Sequence, residues 1–352
     1  MTESLSLAGR TLMVGLPGTE LDAEVAERLR RLNPGGVILF RRNLESCRQT
    51  IELLDELRRL VTHPLLLALD QEGGRVSRLE PWIGSTPTAS ALACAGARAT
   101  RRFGGATAAA LSALGFNLDF APVVDLSATD ATNGIGDRSF GTDPRRVAEL
   151  AGNFLDGLQA GGVAGCLKHF PGLGATTLDS HVQLPTAERN LDDLQRLDLE
   201  PYRRLGKRAA SVMVGHAHYP ALEPQRGRPA TLSSVIVTDW LRGRLSYRGL
   251  VVGDDLEMGA VAALDEDGRA AVQALAAGCD MLLYCSELGR AELAAEAIAR
   301  AARRDPAMQE RLQQAARAVE SLARRWPAAP GNEAAWDTAS REIRGAISAS
   351  SR

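Results

Sequence analysis

Lysine is almost missing from this 352-residue chain: of 41 basic residues, only Lys168 and Lys207 are not arginine. Arginine is the default cation here. A lysine kept inside a motif therefore points to a need for a compact ammonium rather than a planar fork. Lys207, in RRLGKRAA, reads as solvated helix surface. A one-signed charge is missing too. The 43 acidic residues leave a net charge of −2, which argues against a nucleic-acid or anionic-membrane partner. No apolar run approaches the ~18 residues of a membrane span. The start, MTESLSLAGRTLMVGLPG, lacks a basic region followed by a long apolar core, so no signal peptide is expected. The five cysteines (Cys47, Cys94, Cys166, Cys279, Cys285) form no C-x-x-C. They fit reduced thiols in a cytoplasmic protein better than a disulfide framework. Internal repeats are missing, and the serine-rich end is the one low-complexity stretch.

What is there is ordinary globular material, 45% hydrophobic and 24% charged. A chain this long buries roughly three quarters of its unfolded surface and needs no disulfide or metal staple. Length alone suggests about two domains, although α/β barrels often spend as much chain on one. Eight short apolar, β-branched runs recur: TLMVGLPG from Thr11, GGVILF from Gly35, LLLALDQ from Leu65, FNLDFAPVVDL from Phe116, VAGCLKHF from Val163, SVMVGHAH from Ser211, GLVVGDD from Gly249 and DMLLYCS from Asp280. They are too continuous for half-exposed strands and read as strands of a parallel sheet buried on both faces. Amphipathic stretches at 20–32, 46–60, 90–114, 144–160, 191–209, 232–245, 258–277 and 287–302 alternate with them. Asp143-Pro144 and Asn190 supply helix-start signals. Eight strands alternating with eight helices predict an α/β fold, a single (β/α)8 TIM-type barrel. A doubly wound open sheet is the runner-up, but GLPGTE matches its glycine-rich phosphate turn poorly. A helix at 305–325, the linker PAAPGN and a weak helix at 333–348 predict a C-terminal helical extension. The expected division is a barrel over residues 1–325 and a linker, weak helix and tail over 326–352.

Active sites of parallel barrels lie at the C-terminal ends of the strands. Polar residues collect there: Asp70-Gln71-Glu72 after strand three, Asp119 and Asp125 after four, Lys168-His169 after five, His216 and His218 after six, and Asp254-Asp255 after seven. The loop after strand four adds Asn133, Asp137 and Arg138. Charges capping single strands would explain one or two ends, not a convergence from five. In the next loop, KHFPGLGATTLDSHVQLP, Asp179 and His181 stand at i and i+2. In extended backbone that places them on one side, within hydrogen-bonding reach. A carboxylate on one imidazole nitrogen fixes the tautomer and raises basicity at the other, which builds a proton donor and acceptor near neutral pH. A surface Asp–His pair without function is the plain alternative. Along a strand side chains alternate, so one of Asp254 and Asp255 is expected in the mouth and the other as a cap of the following helix. The inward carboxylate can be a nucleophile, a base or a metal ligand. Zinc competes for the histidines. However, His216-Ala217-His218 stands alone, and the cationic Lys168 disfavours a divalent ion nearby, so no metal is expected.

These residues resemble family 3 glycoside hydrolases, specifically single-domain β-N-acetylhexosaminidases of the NagZ type. The resemblance is carried by GGVILFRRN, ALDQEGGRVSRL, LGFNLDFAPVVDL, NGIGDRSFG, KHFPGLGATTLDSHVQLP, VMVGHAHYPAL, GLVVGDDLEM and AGCDMLLYC, in order from about residue 8 to 300. It implies that Asp254 is the nucleophile, His181 the acid/base and Asp179 its dyad partner. It also implies that Asp70, Arg78, Arg138, Lys168 and His169 hold the hydroxyls of N-acetylglucosamine. The implied activity is a retaining exo-β-N-acetylglucosaminidase acting in the cytoplasm on a small carbohydrate or muropeptide. By resemblance the substrate is a GlcNAc-1,6-anhydro-MurNAc fragment of cell-wall recycling, and no cofactor is implied. Retention needs one nucleophile and one group that first donates, then removes, a proton; a histidine with an unperturbed pKa of ~6.5 suits both half-reactions. Two positions depart from the family pattern. Leu173 replaces the histidine of P-G-H-G, and Gly253 replaces the serine of S-D-D. Leu173 is expected to alter the packing, pH response or leaving-group choice of its loop, and Gly253 to loosen the backbone before Asp254. Neither removes a catalytic group. A phosphorylase of the same fold and a non-catalytic sugar-binding barrel remain the rival readings.

Overall fold

The computed structural model describes residues 3–127, 134–176 and 184–350. Eight strands close a barrel: β1 Leu12–Gly15, β2 Gly36–Ile38, β3 Leu66–Leu69, β4 Leu118–Asp119, β5 Ala164–Phe170, β6 Ser211–Val214, β7 Leu250–Asp255 and β8 Met281–Tyr284. Every neighbouring pair is parallel, and Leu12 of β1 beside Leu282 of β8 closes the ring. The expected TIM-type barrel is therefore present, with each strand inside the apolar run that predicted it. Alternation sorts the side chains into two layers. Met13, Ile38, Leu66, Ala68, Leu118, Val252 and Met281 share one cluster. Leu12, Val14, Val37, Leu67, Leu69 and Val251 join the helices in another. Period-two alternation in strands buried on both faces requires this split.

Local chemistry sets the helix ends. Asp143 Oδ1 accepts the Arg146 amide at 2.7 Å at the start of Pro144–Ala160, with proline in the first turn. Ser46 caps Cys47–Leu60, and Asn190 caps Leu191–Arg196. Three predicted helices are interrupted. Gly96, at φ 89°, separates Ala89–Ala95 from Ala97–Leu114. Residues 197–199 separate Leu191–Arg196 from Glu200–Leu205, whose first turn contains Pro201. The stretch from 258 is turn and 3₁₀ structure until Arg269–Ala277, which Gly268 opens in the left-handed region. Among the described residues, the helix Glu3–Arg10, the short helix Glu80–Ile83 and a hairpin pairing Gln71–Gly73 with Val76–Ser77 were not expected.

Helix Pro306–Arg325 packs Val319, Leu322 and Ala323 against the inner cluster. It closes the N-terminal end of the barrel, where the Asn117 amide donates to Trp326 O at 2.7 Å. Within the segment expected as linker, weak helix and tail, an 18-residue helix, Glu333–Ser350, lies against Ala97–Leu114. Trp336, Ala339, Ile343 and Ala346 of that helix are buried.

Candidate active site

A cavity of about 360 Å³ opens at the C-terminal ends of the strands. Its charged floor is built on β3 and β5. Lys168 Nζ stands 2.8 Å from Asp70 Oδ1 and 2.6 Å from Glu72 Oε1. Asp70 Oδ2 accepts from Arg78 Nη2 at 3.1 Å. Glu72 accepts a bidentate fork from Arg138, at 2.7 Å from Nε and 2.8 Å from Nη2. Three cations and two carboxylates thus form one continuous chain, with the Lys168 side chain 3% exposed. Burial opposes ionisation of both acids, but Lys168 outweighs it with help from Arg78 at Asp70 and Arg138 at Glu72. Asp70 is held well below the usual carboxylate range, and Glu72 is lowered to about 2. Burial opposes the charge of Lys168 likewise, and its two carboxylates raise its pKa in spite of it. Lys168, Arg138 and the two carboxylates are ionised at neutral pH. A compact ammonium can sit between two carboxylates where a planar fork would not fit as well, consistent with lysine being kept here.

His169 follows directly, and its imidazole also borders the cavity. Adjacent strand residues normally face opposite ways; a shift of register between Leu167 and Phe170 relaxes that rule here. His169 Nδ1 lies 2.7 Å from Asp125 Oδ2, and Asp125 also accepts the amides of His169 and Leu173, the latter at 2.8 Å. Asp125 is fully buried and fixes the imidazole with Nδ1 as donor. Leu173, in place of the family's histidine, is 5% exposed and adds an apolar wall beside His169.

Asp254 and Asp255 both border the cavity. Leu282 pairs with Gly253 and Leu283 with Asp255, so a bulge at Asp254 breaks the alternation. The two carboxylates nevertheless differ. Asp255 Oδ1 accepts the amides of Glu257 at 3.1 Å and Cys285 at 3.3 Å, and burial pushes its pKa up to about 6. The Asp254 carboxylate accepts the Asp255 amide at 2.9 Å and no other hydrogen bond among the described residues. Among the described residues, Asp254 is thus the carboxylate left available to a ligand. Gly253 stands where a side chain would be crowded. A Cβ there would stand 3.0 Å from Thr231 Cγ2 and 3.1 Å from Leu282 Cδ2, so neighbours already occupy that space. Behind it, His216 is fully buried, with Nδ1 2.7 Å from Thr231 Oγ1 and Nε2 2.9 Å from Asp255 O. Burial lowers its pKa and keeps it neutral. His216 supports the peptide between Asp255 and Leu256. His218 Nδ1 lies 3.3 Å from Arg228 O. No group of three or more potential metal ligands is gathered among the described residues.

Asp179 and His181, with Asn133, lie outside the described residues. The other predicted site residues (Asp70, Arg78, Arg138, Lys168, His169 and Asp254) all border the one cavity. The glycosyl hydrolase family 3 N terminal domain matches residues 9–322. The chain belongs to glycosyl hydrolase family 3. A β-hexosaminidase of Idiomarina loihiensis is 39% identical over 282 residues, 78% of this chain and 84% of that protein. The structure of a family 3 β-N-acetylglucosaminidase from Paenibacillus superposes with a TM-score of 0.90 at 33% identity, over 99% of this chain and 69% of that one. Native NagZ from Neisseria gonorrhoeae has a TM-score of 0.80 at 30% identity, over 96% and 97% of the two chains. Within the family this hydrolase groups with β-hexosaminidases.

Two cavity features of this family 3 hydrolase were given no role from sequence. Glu72 links Lys168 to Arg138 in the ion chain; its place in DQEGG two residues after Asp70 was the available signal. Phe40 is flanked by Arg42 at 4.8 Å and Arg78 at 5.5 Å, both over its ring, and RRN following an apolar run gave no hint of that stack. No helix among the described residues is long and apolar enough to cross a membrane.

Proposed function

We propose that this family 3 hydrolase is a retaining exo-β-N-acetylglucosaminidase. The observation that carries the reading is the shared cavity: the available carboxylate of Asp254 borders the same space as Lys168, Asp70 and Arg138. Asp254 attacks the anomeric carbon from one face. His181, oriented by Asp179, protonates the departing glycosidic oxygen from the other. The glycosyl–Asp254 ester is then opened by a water from which His181 removes a proton, and two inversions return the β configuration. Asp70, Arg78, Arg138, Lys168 and His169 hold the sugar hydroxyls. The ion chain suits that task because Lys168 and both arginines are pinned before substrate arrives, so little ordering is left to binding. The substrate class is a small carbohydrate or muropeptide carrying a terminal non-reducing β-GlcNAc, with GlcNAc-1,6-anhydro-MurNAc fragments in the cytoplasm as the specific proposal. The catalytic unit is the barrel of residues 1–325, with 326–352 as its C-terminal extension.

A 5-fluoro-N-acetylglucosaminyl donor tests this. The expected result is a stable adduct of one sugar per chain, mapped to the peptide at Asp254. Asp254→Asn should lose at least about three orders of magnitude in turnover of a chromogenic β-GlcNAc substrate while keeping the wild-type melting curve. A label on Asp255, or no turnover by well-folded wild type, overturns the reading. Release of GlcNAc-1-phosphate when phosphate is added would replace hydrolysis with phosphorolysis.

A further inference from the structure

The turn after β7 and the loop after β8 both border the cavity, the first through Met258 and the second through Cys285 and Ser286. Three successive amides of the second are taken by side chains of the first. The Cys285 amide donates to Asp255 Oδ1 at 3.3 Å. The Ser286 amide donates to Glu257 Oε2 at 2.6 Å, and the Glu287 amide to Glu257 Oε1 at 3.0 Å. The turn is also closed on itself, because Asp255 Oδ1 accepts the Glu257 amide at 3.1 Å. One backbone bond joins the two segments, from the Leu256 amide to Leu283 O at 3.1 Å. On the far side of the loop, Arg42 donates to Cys285 O and, at 3.0 Å, to Leu16 O.

The attraction is electrostatic. Glu287 precedes the 17-residue helix Leu288–Arg304, and its own side chain makes no cap hydrogen bond. Amides that lead into a helix carry partial positive charge and attract anions. A plain helix cap comes from the capping residue itself: Asp305, ahead of Pro306–Arg325, accepts the Ala307 amide at 2.9 Å. Glu257 instead reaches across from a neighbouring strand end, and both of its oxygens bind amides ahead of the helix. It stands three residues after Asp254. Among the described residues the Asp254 carboxylate accepts only the Asp255 amide, so its aim depends on the backbone of this turn. His216 holds the same turn from the side of β6, through Asp255 O.

We infer that Glu257 is a positioning residue for the reaction: its carboxylate fastens the loop after β8 to the turn that follows Asp254, and so fixes the aim of the Asp254 carboxylate. This rests on the reading of Asp254 as the nucleophile. Glu257 does not itself line the cavity, so it acts through the turn and not on the sugar. Without its carboxylate the Ser286 and Glu287 amides lose their acceptor, and the turn is free to shift against the loop. A misplacement of about 1 Å costs a reacting group about a hundredfold, so partial loosening is worth about tenfold in the chemical step. The ion chain of Lys168, Asp70 and Glu72 lies on other strands, and its hold on the sugar is untouched.

Inactivation by the 5-fluoro-N-acetylglucosaminyl donor reports bond formation at Asp254 and separates aim from binding. Glu257→Ala should lower the inactivation rate at saturating donor about tenfold, and Glu257→Gln, which keeps one acceptor oxygen, about threefold. The inhibition constant of free N-acetylglucosamine should stay within about twofold in both. The Ser286 and Glu287 amides should exchange with solvent about tenfold faster in Glu257→Ala, with the β1–β3 amides unchanged. Asp305→Ala removes a helix cap at the opposite end of the barrel and controls for lost stability. It should lower the melting temperature and leave the inactivation rate at the wild-type value. An inactivation rate within about twofold of wild type in Glu257→Ala, or an equal loss in Asp305→Ala, overturns the proposal. Glu257 is only partly buried, and Glu257→Gln keeps the test alive if the alanine variant folds poorly. Wild type that is never labelled at Asp254 overturns the nucleophile reading, whereas normal labelling of wild type beside an unaffected Glu257→Ala overturns the positioning role alone.

Discussion

Lys168 is one of two lysines, and it stands where two carboxylates meet. Its rarity marked it in the sequence; its partners show why an ammonium suits the position. Asp70 was expected as one partner of a sugar, but Glu72 shares the load equally and links Lys168 to Arg138. Replacing Glu72 by glutamine keeps its volume and removes the anion between two buried cations. A broken buried pair costs about 3–5 kcal/mol, so Glu72→Gln should lower the melting temperature markedly. It should also raise KM for a β-GlcNAc substrate about tenfold or more, because Lys168 and Arg138 lose their shared anchor. Thermal denaturation and initial rates check both. An unchanged KM would mean that Glu72 holds the fold and not the sugar site.

At the scale of elements, irregularities aim the side chains. The register shift in β5 brings Lys168 and His169 to one cavity, and the bulge in β7 brings Asp254 and Asp255 there together. The hairpin after β3 is fixed by Gln71, whose side chain accepts the amides of Arg78 and Leu79 at 2.9 and 3.1 Å. The short helix Glu80–Ile83 that follows leans on the C-terminal helix. Trp82 meets Trp336 edge to face at 5.6 Å, and Arg344 donates to Trp82 O at 3.1 Å. The C-terminal helix is thereby coupled to the short helix that begins two residues after Arg78. Trp336→Ala should cost about 3–5 kcal/mol and lower the melting temperature by about 5 °C or more. It should also weaken sugar binding more than a core truncation far from the hairpin. A melting temperature within a degree of wild type would show that the helix is only loosely seated.

For the whole molecule, buried acids of opposite sign of shift shape stability against pH. Glu72 is depressed from 4.5 to about 2, and Asp70 is depressed further. Their contribution is present above the ordinary carboxylate pKa and lost as pH falls through the folded values. Asp255 and Asp198 are raised from 3.8 to about 6 and about 7. Their contribution is present below their ordinary pKa and lost as pH rises through those values. Stability should therefore peak near about pH 4 and decline on both sides. Urea midpoints at about pH 2.5, 4 and 8 measure it. A midpoint that rises steadily across that range would contradict the assignment. In Asp198→Asn the alkaline decline should be smaller.

By itself the sequence determined the alternation of strand and helix, the barrel class, the end of the barrel where chemistry collects and six of the residues that border the cavity. Apolar runs and helical periods are local, and family motifs travel with the chain, so both are legible without coordinates. Only the tertiary structure decided that, among the described residues, the Asp254 carboxylate accepts one amide and that of Asp255 two, that Glu72 joins Lys168 to Arg138, that Asp125 orients His169, and that the 333–350 helix packs on the short helix of Trp82. Each of these depends on register shifts or on contacts between residues tens to hundreds of positions apart. Period-two alternation does not survive a bulge, and no local pattern encodes which distant carboxylate will satisfy a buried cation.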